Sequence, residues 1–570
     1  MAMRPEVPRY PRPKILVQGE NRKLFVKRLD KLREVRNPQE ELWREVATHI
    51  NPTRYKDTLS IREARNRHKA ILNNKGSLAS RVTKAGLHSG ASSPARPWFA
   101  LTLPDQDMAR SGAVKSHLYQ VSQLLYQVFA MSNTYLGLQM GYGDMIDFGN
   151  AQAVIDDDYE DIIRETILSP GQYFWALDER DEIGVLYWEF KWTVHQIVKE
   201  FGYDACSLSV KNMWDNADYD RQIDLVTAVE PNETAWMGPG GERDVRSAPF
   251  VAITFERHGD HDDVLRVKPW LEWRGPVGRW DVRAGDIYGE GLGSIALPDV
   301  RGLQKLELRA GQLIDVATRP SLQMPAGGTV LGRVNEAGGI YKTDAGNGAV
   351  ASPIYEPNAN WLMGVENKIA RHERRIEEAY FSDLFVRLIT DDRSGKTARE
   401  IAEIHEEKLI QLGPTLERVH TEWLSRRIII CYNRLLRAGL LPEAPEEMRG
   451  QQLKVRYISL LAQAQQMVGL GTIERFVGFV GSMAQLNQGA LDKLDADQAI
   501  DEWADVAGVP TSVVRTDEDV AAFRQQRIGQ EQAAAAAQYA AAGAQTAKTL
   551  SEADTSGDNA LTRMIGGPAA

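Results

Sequence analysis

The sequence predicts an α+β fold that is mainly α-helical, and three observations carry that expectation. Before residue 150 and after residue 290, apolar residues recur every three or four positions over long stretches. That is the period of a helix with one buried face. Between 151 and 270 the pattern changes to runs of branched and aromatic residues separated by polar turns, as strands and hairpins require. Between 318 and 358, a Gly- and Pro-rich excursion with short strand candidates is flanked by two helical segments.

Taken in order, residues 1–20 are rich in Pro and Arg and read as a loose, flexible arm. Leu24 to Ile50 is helical, with Trp43, Val46, Ala47 and Ile50 on one face, and Asn51-Pro52 ends it, because the residue before proline is pushed out of the helical region. A second helix is expected from Ile61 to Ala85, basic at its start through Arg62, Arg65, Arg67, His68 and Lys69. A solvated charged face is the ordinary reading of that start, and contact with nucleic acid or an acidic neighbour the functional one. Ala85 to Phe99 is punctuated by Gly and Pro and reads as a loop leading into a short strand. Residues 112–150 form a helix pair, with Leu118, Val121, Leu125 and Val128 as the apolar stripe.

Gln172–Leu177 and Val185–Phe190 form a hairpin across the polar turn Asp178 to Glu182. Thr193 with Gln196 makes a capping box for a helix from Val194 to Phe201. Further strands are expected at 222–230, 249–257 and 264–270. A helix runs to Ala317, short strands fall at Thr329–Leu331 and Gly339–Tyr341, and a second long helix covers Asn358–Tyr380. Residues 382–397 read as a polar connection. Ala398–Arg437 is a long helix in which Leu412, Leu416, Val419 and Trp423 mark the buried face, and Gly413-Pro414 should kink it. A strand and helices follow over 453–510. Val520 to Leu550 is a helical tail with the run Ala533 to Ala537, alanine being the best helix former. The residues after Ser551 read as disordered.

Bulk properties narrow the function. The 570 residues are 43% hydrophobic and 26% charged, enough for a large core and several domains. No apolar run approaches the roughly 20 residues that span a bilayer, and Met1 to Pro5 lacks the apolar region of a signal peptide. Cys206 and Cys431 are the only cysteines; one disulfide is formally open, but two buried thiols in a reducing cytosol fit better. Net charge is −10 and pI about 5.7. Tight DNA binding usually comes with a basic excess, so this balance suits DNA that slides past an acidic surface without sticking.

Several motifs invite an enzymatic reading and fail. Ser394-Gly395-Lys396-Thr397 resembles the end of a phosphate-binding loop, but the position that needs the first glycine is Thr390, and Asp391 and Asp392 would repel a triphosphate. Gly289-Glu290-Gly291-Leu292-Gly293 misplaces the last glycine of a dinucleotide fingerprint and lacks a βαβ setting; it reads as a turn before a helix. His258 to Asp263 has metal-ligand residue types but falls where a polar hairpin turn is expected. His88-Ser89 has neither an acid partner nor a nucleophile elbow. No catalytic, cofactor or metal site is therefore assigned.

The segment Val455-Arg456-Tyr457-Ile458-Ser459-Leu460-Leu461-Ala462-Gln463-Ala464-Gln465 resembles a signature of the head-to-tail connector, or portal, proteins of short-tailed (podovirus-type) bacteriophages. Further segments resemble the same family in colinear order: Trp43–Pro52, Pro94–Phe99, Tyr288–Gly291 with Ala296–Asp299, Lys396–Ile401, Leu412–Pro414 and Leu435–Gly439. The chain departs from the family pattern at Leu292 and Leu460, where prolines are usual.

The resemblance implies a portal fold, in which 21–290 and the long kinked helix 398–440 make a wing. Helices 291–317 and 358–381 make a two-helix stem, and 318–357 a β-containing clip. Residues 382–397 make a tunnel loop, 441–515 a crown, and 516–550 a C-terminal helical barrel ahead of a disordered tail, 551–570. It implies a dodecameric ring at one capsid vertex of the virion, assembled in the host cytoplasm, through which double-stranded DNA is packaged and ejected. The implied partners are the terminase packaging motor, tail adaptor proteins, and capsid and scaffold proteins, with no membrane and no cofactor. In the tunnel loop, Arg387, Asp391, Asp392, Arg393 and Lys396 would place rings of both charges around DNA, the cations touching phosphates while the acids prevent capture. The alternatives are another virion structural or adaptor protein and, more remotely, a packaging ATPase or nuclease.

Overall fold

A computed structural model describes residues 21–56, 69, 71–105, 111–232, 248–259, 264–283, 285–320, 322–325, 340–343, 352–353, 359–391, 408, 410–448, 451–484, 489, 493–507, 515 and 517–552. It is an α+β architecture in which helices predominate. Helix α1 (Asn21–His49) joins two cores. Its first half sends Phe25, Leu29 and Leu32 onto a sheet, and its second half sends Trp43, Val46 and Ala47 into the main core. Arg36 is buried between them. Its guanidinium lies 3.9 Å over the Phe174 ring and donates to the carbonyls of Gly171 and Tyr173, each at 2.9 Å, so this buried charge has acceptors.

Helix α2 (Lys75–Ser92) corrects two expectations. The helix begins at Lys75, after an irregular stretch at 71–74, and it continues through Gly86 and Gly90 to Ser92. Gly86 is a packing notch rather than a breaker. A Cβ on Gly86 would fall 2.5 Å from the Phe385 side chain. Of the basic cluster, Arg62, Arg65, Arg67 and His68 lie outside the described residues, and Lys69 is exposed.

Strand β1 (Phe99–Thr102) follows, then α3 (Gly112–Met131) and α4 (Thr134–Phe148). The expected stripe of Leu118, Val121, Leu125 and Val128 is buried. The strand block comprises β2 (Asn150–Asp158), β3 (Ile162–Leu168), β4 (Tyr173–Leu177) and β5 (Ile183–Thr193). After it come α5 (Val194–Phe201), α6 (Leu208–Asp215), β6 (Gln222–Pro231), β7 (Phe250–Glu256), β8 (Arg266–Trp270) and β9 (Val277–Arg279). Strands β4 to β8 form an antiparallel sheet in sequence order, and β3-β2-β9 a second sheet. Both faces of the larger sheet are covered. Val226 and Ala228 of β6 pack toward α1, while Val229 joins the main core, which explains its unbroken apolar runs. The Thr193–Gln196 capping box is present in full.

The chain continues through α7 (Leu292–Thr318), the short strands β10 (Leu322–Pro325), β11 (Ile340–Thr343) and β12 (Ser352–Pro353), and α8 (Ala359–Ala379). The strand expected at Thr329–Leu331 lies outside the described residues. Next comes α9 (Ser382–Asp391), a helix where a polar connection was expected. Ser382, Leu384 and Phe385 are buried on one side of it, and that packing stabilises the helix despite its charged residues. Residues 411–418 are helical through Pro414. The break from α geometry comes later, as a π-helical turn at Val419–Leu424, before α10 (Ser425–Ala438).

The strand β13 (Lys454–Tyr457) pairs antiparallel with β1, Tyr457 opposite Phe99. Two segments singled out in the sequence, more than 350 positions apart, are thus hydrogen-bonded neighbours. Helices α11 (Leu460–Ala484), α12 (Ala496–Ala507) and α13 (Asp517–Glu552) complete the chain. Cys206 and Cys431 are both buried and unlinked. Among the described residues, no helix is long and apolar enough to cross a membrane.

Candidate functional site

The candidate site is the α7/α8 helix pair, its entry from the strand block and its exit into α9. At the entry, the glycines of Tyr288-Gly289-Glu290-Gly291-Leu292-Gly293 meet backbone, not a ligand. A Cβ on Gly291 would fall 2.4 Å from the Gly149 nitrogen, and one on Gly293 would fall 2.3 Å from the Asp147 carbonyl oxygen. Gly149 itself has φ +79°, a conformation that favours glycine. Asn150 secures the crossing. Its side chain donates to the Gly289 carbonyl at 2.9 Å and accepts from the Gly289 N–H at 2.7 Å. Tyr288 stacks on Trp175, with ring centroids 5.2 Å apart, and its hydroxyl accepts from the Trp175 N–H at 3.2 Å. The glycine run is therefore the seam by which α7 leaves the body.

Side by side, α7 and α8 bury Val300, Leu303, Ala310 and Ile376. His372 of α8 accepts or donates a 2.8 Å hydrogen bond at Asp299 of α7 and sits over Gly302, where a Cβ would come within 3.1 Å of the imidazole. The stretch before α2 clasps the pair from outside. Gln304 accepts from the N–H groups of Leu72 and Asn73 at 2.7 and 2.9 Å. Asn73 in turn donates to Glu307 of α7 at 2.7 Å and to Glu373 of α8 at 3.0 Å.

At the exit, Phe381 takes φ +51°, an uncommon backbone conformation for a bulky residue, and reverses the chain from α8 into α9. Three contacts hold it there. Thr83 of α2 donates to the Tyr380 carbonyl at 2.7 Å, Tyr380 donates its hydroxyl to Asp147 at 3.2 Å, and Phe385 fills the notch at Gly86. Asp147 also accepts from Asn51 at 2.7 Å. Burial pushes its carboxyl above the usual range, while the hydrogen bonds from Ser80, Asn51 and Tyr380 pull the other way. Deeper in the body, Glu165 and Arg427 form a fully buried ion pair at 3.0 Å. Burial raises the Glu165 pKa and lowers that of Arg427, each opposed by the partner charge.

Of the residues picked from the sequence, Arg387 and Asp391 lie one turn apart on α9, while Asp392, Arg393 and Lys396 lie outside the described residues. Among the described residues, no cluster of His, Cys, Asp or Glu is placed to hold a metal ion. The junction residues Thr83, Asp147 and Tyr380 were not singled out in the sequence. The usable signal was Asp144 and Asp147 inside the otherwise apolar helix α4, since a buried carboxylate needs partners.

A family profile described as "Bacteriophage head to tail connecting protein" matches residues 22–514. The chain is 36% identical over 550 residues to the "Probable portal protein" of Bordetella phage BPP-1, covering 96% of this chain and 98% of that relative. It is also 36% identical over 550 residues to the "Portal protein" of Salmonella phage epsilon15, covering 95% and 97%. With the colinear segments, the β1–β13 pairing and the α7/α8 unit in place, these matches show that the chain belongs to the family of bacteriophage head to tail connecting proteins.

Proposed function

We propose that this protein is a portal subunit, a structural connector of the virion rather than an enzyme. Identical copies form a dodecameric ring at one capsid vertex, through which double-stranded DNA is packaged and ejected. The reading rests on one observation above all: the helix–strand–helix unit from Leu292 to Ala379 lies within a chain that matches the family over 22–514. In this reading α7 and α8 are the stem, the strands β10–β12 belong to the clip, and α9 leads into the tunnel segment. Residues 21–290 with 398–440 form the wing, 441–515 the crown and 516–550 the barrel. Closing such a ring requires head-to-tail contacts between unlike faces of neighbouring copies.

The clip meets the terminase motor during packaging and a tail adaptor afterwards, and the outer surface meets capsid and scaffold proteins. Net charge is −10, which favours passage of DNA over capture. The test is electron microscopy and native mass measurement of the purified protein. Annular particles with a central hole, closed by cyclic symmetry, are expected, with the mass of the twelve chains that the family resemblance implies. A monomer at high concentration, with no ring in virions, would refute the reading.

A further inference from the structure

The π-helical turn Val419–Leu424 is held open by one side chain from a remote strand. In this turn the Ser425 N–H donates to the His420 carbonyl. The same carbonyl accepts the Tyr457 hydroxyl at 2.7 Å, and that hydroxyl oxygen lies 2.6 Å from Ser425 Oγ. The Tyr457 proton is committed to His420, so Ser425 is the donor to Tyr457. The Tyr457 ring also stacks on His420, centroids 4.0 Å apart and planes 11° from parallel. Thr421 donates to the carbonyls of Glu417 at 2.9 Å and Arg418 at 3.3 Å, where the α and π patterns meet.

A π turn carries one more residue than the α turn it replaces, and such turns concentrate at functional sites. Closing it would rotate one flank by about 100° and shift it by about 1.5 Å. The downstream side is pinned: Trp423, inside the turn, packs in the notch at Gly141, and Arg427 beyond it is paired with Glu165 and lies 3.7 Å over the Trp423 ring. The upstream flank, residues 411–418, is held by Leu412 and Leu416 in the main core, non-directional contacts that can slide where a buried ion pair cannot. It is linked to α9 through the ion pair of Lys408 with Asp383.

We propose that Tyr457 is a latch that holds this helix in its π register, so that displacement of β13 releases the turn and rotates residues 411–418 against α9. Tyr457 lies at the end of the strand that opens the crown, so the device couples crown position to the foot of the stem; its meaning for DNA passage rests on the portal reading above.

Hydrogen–deuterium exchange on the full-length protein tests it, comparing wild type with Tyr457→Phe, which keeps the ring stacking on His420 and removes only the hydroxyl. Exchange about five- to tenfold faster is expected for amides of 419–425, as for loss of one hydrogen bond. The same rise is expected over 410–418 and 383–386, with no change in the sheet at 222–256. Ser425→Ala should raise the same amides by less. Unchanged exchange at 410–425, a rise confined to 454–457, or an equal rise in the sheet would overturn the latch. The latch is a property of a single chain. Absence of annular particles would therefore refute the portal reading and leave this result standing.

Discussion

Phe385 occupies the space that a side chain at Gly86 would need, its nearest atom 2.5 Å from where a Cβ would stand. This contact seats α9 on α2, directly after the reversal at Phe381. Gly86→Ala should therefore destabilise the protein by about 1–3 kcal/mol through overpacking, despite alanine's better helix propensity. Gly364, exposed in α8 with nothing within 4 Å of its Cβ position, is the control. Gly364→Ala should stabilise by about 0.5–1 kcal/mol. Denaturant unfolding of both variants measures the contrast.

The Glu165–Arg427 pair should be costly to break from one side. Neither side chain is more than 1% exposed, and the Arg427 guanidinium also donates to the Trp423 carbonyl at 2.7 Å. Arg427→Met leaves a buried carboxylate without its cation and should cost about 3–5 kcal/mol. Pairing it with Glu165→Gln should recover part of that loss. A double-mutant cycle read by unfolding midpoints provides the check.

His420 predicts a pH dependence. Its Nε2 is buried without a hydrogen-bond partner, and burial lowers its pKa from 6.5 to about 4. The unfolded chain therefore binds a proton more readily than the folded one between those values. The sign follows from linkage: stability is fully present above pH 6.5 and falls as pH drops toward 4, by about 3 kcal/mol for a shift of this size. His420→Gln should flatten that part of the stability profile, as seen in unfolding curves collected across the window.

The basic residues expected near DNA give a functional test. Arg393→Ala with Lys396→Ala should change genome packaging or retention while leaving ring assembly intact, if cations in this segment touch phosphates as DNA passes. Packaged DNA length and particle mass are measured together. Unaltered packaging in intact rings would remove the tunnel assignment.

The locally encoded features were readable from the sequence. The helix at Trp43–Ile50, the hairpin after Gln172, the Thr193–Gln196 capping box and the strand ending at Tyr457 all follow from neighbours a few positions apart. So did the family, because short motifs kept their order along the chain. Expectations failed where the partner was remote. Gly86 looks like a breaker until Phe385 is brought against α2, and Ser382–Asp391 looks like a polar connection until Leu384 and Phe385 find the core. The π-helical turn at Val419–Leu424, where Tyr457 supplies a hydroxyl, was not foreseen either.

By itself, then, the amino-acid order determined the periodic elements, the turn chemistry and the family, all set by short-range backbone preference and side-chain spacing. Tertiary structure alone decided which glycines are notches, where α8 exits into α9, and where a helix departs from α geometry. Those outcomes depend on side chains that meet only after distant segments have packed.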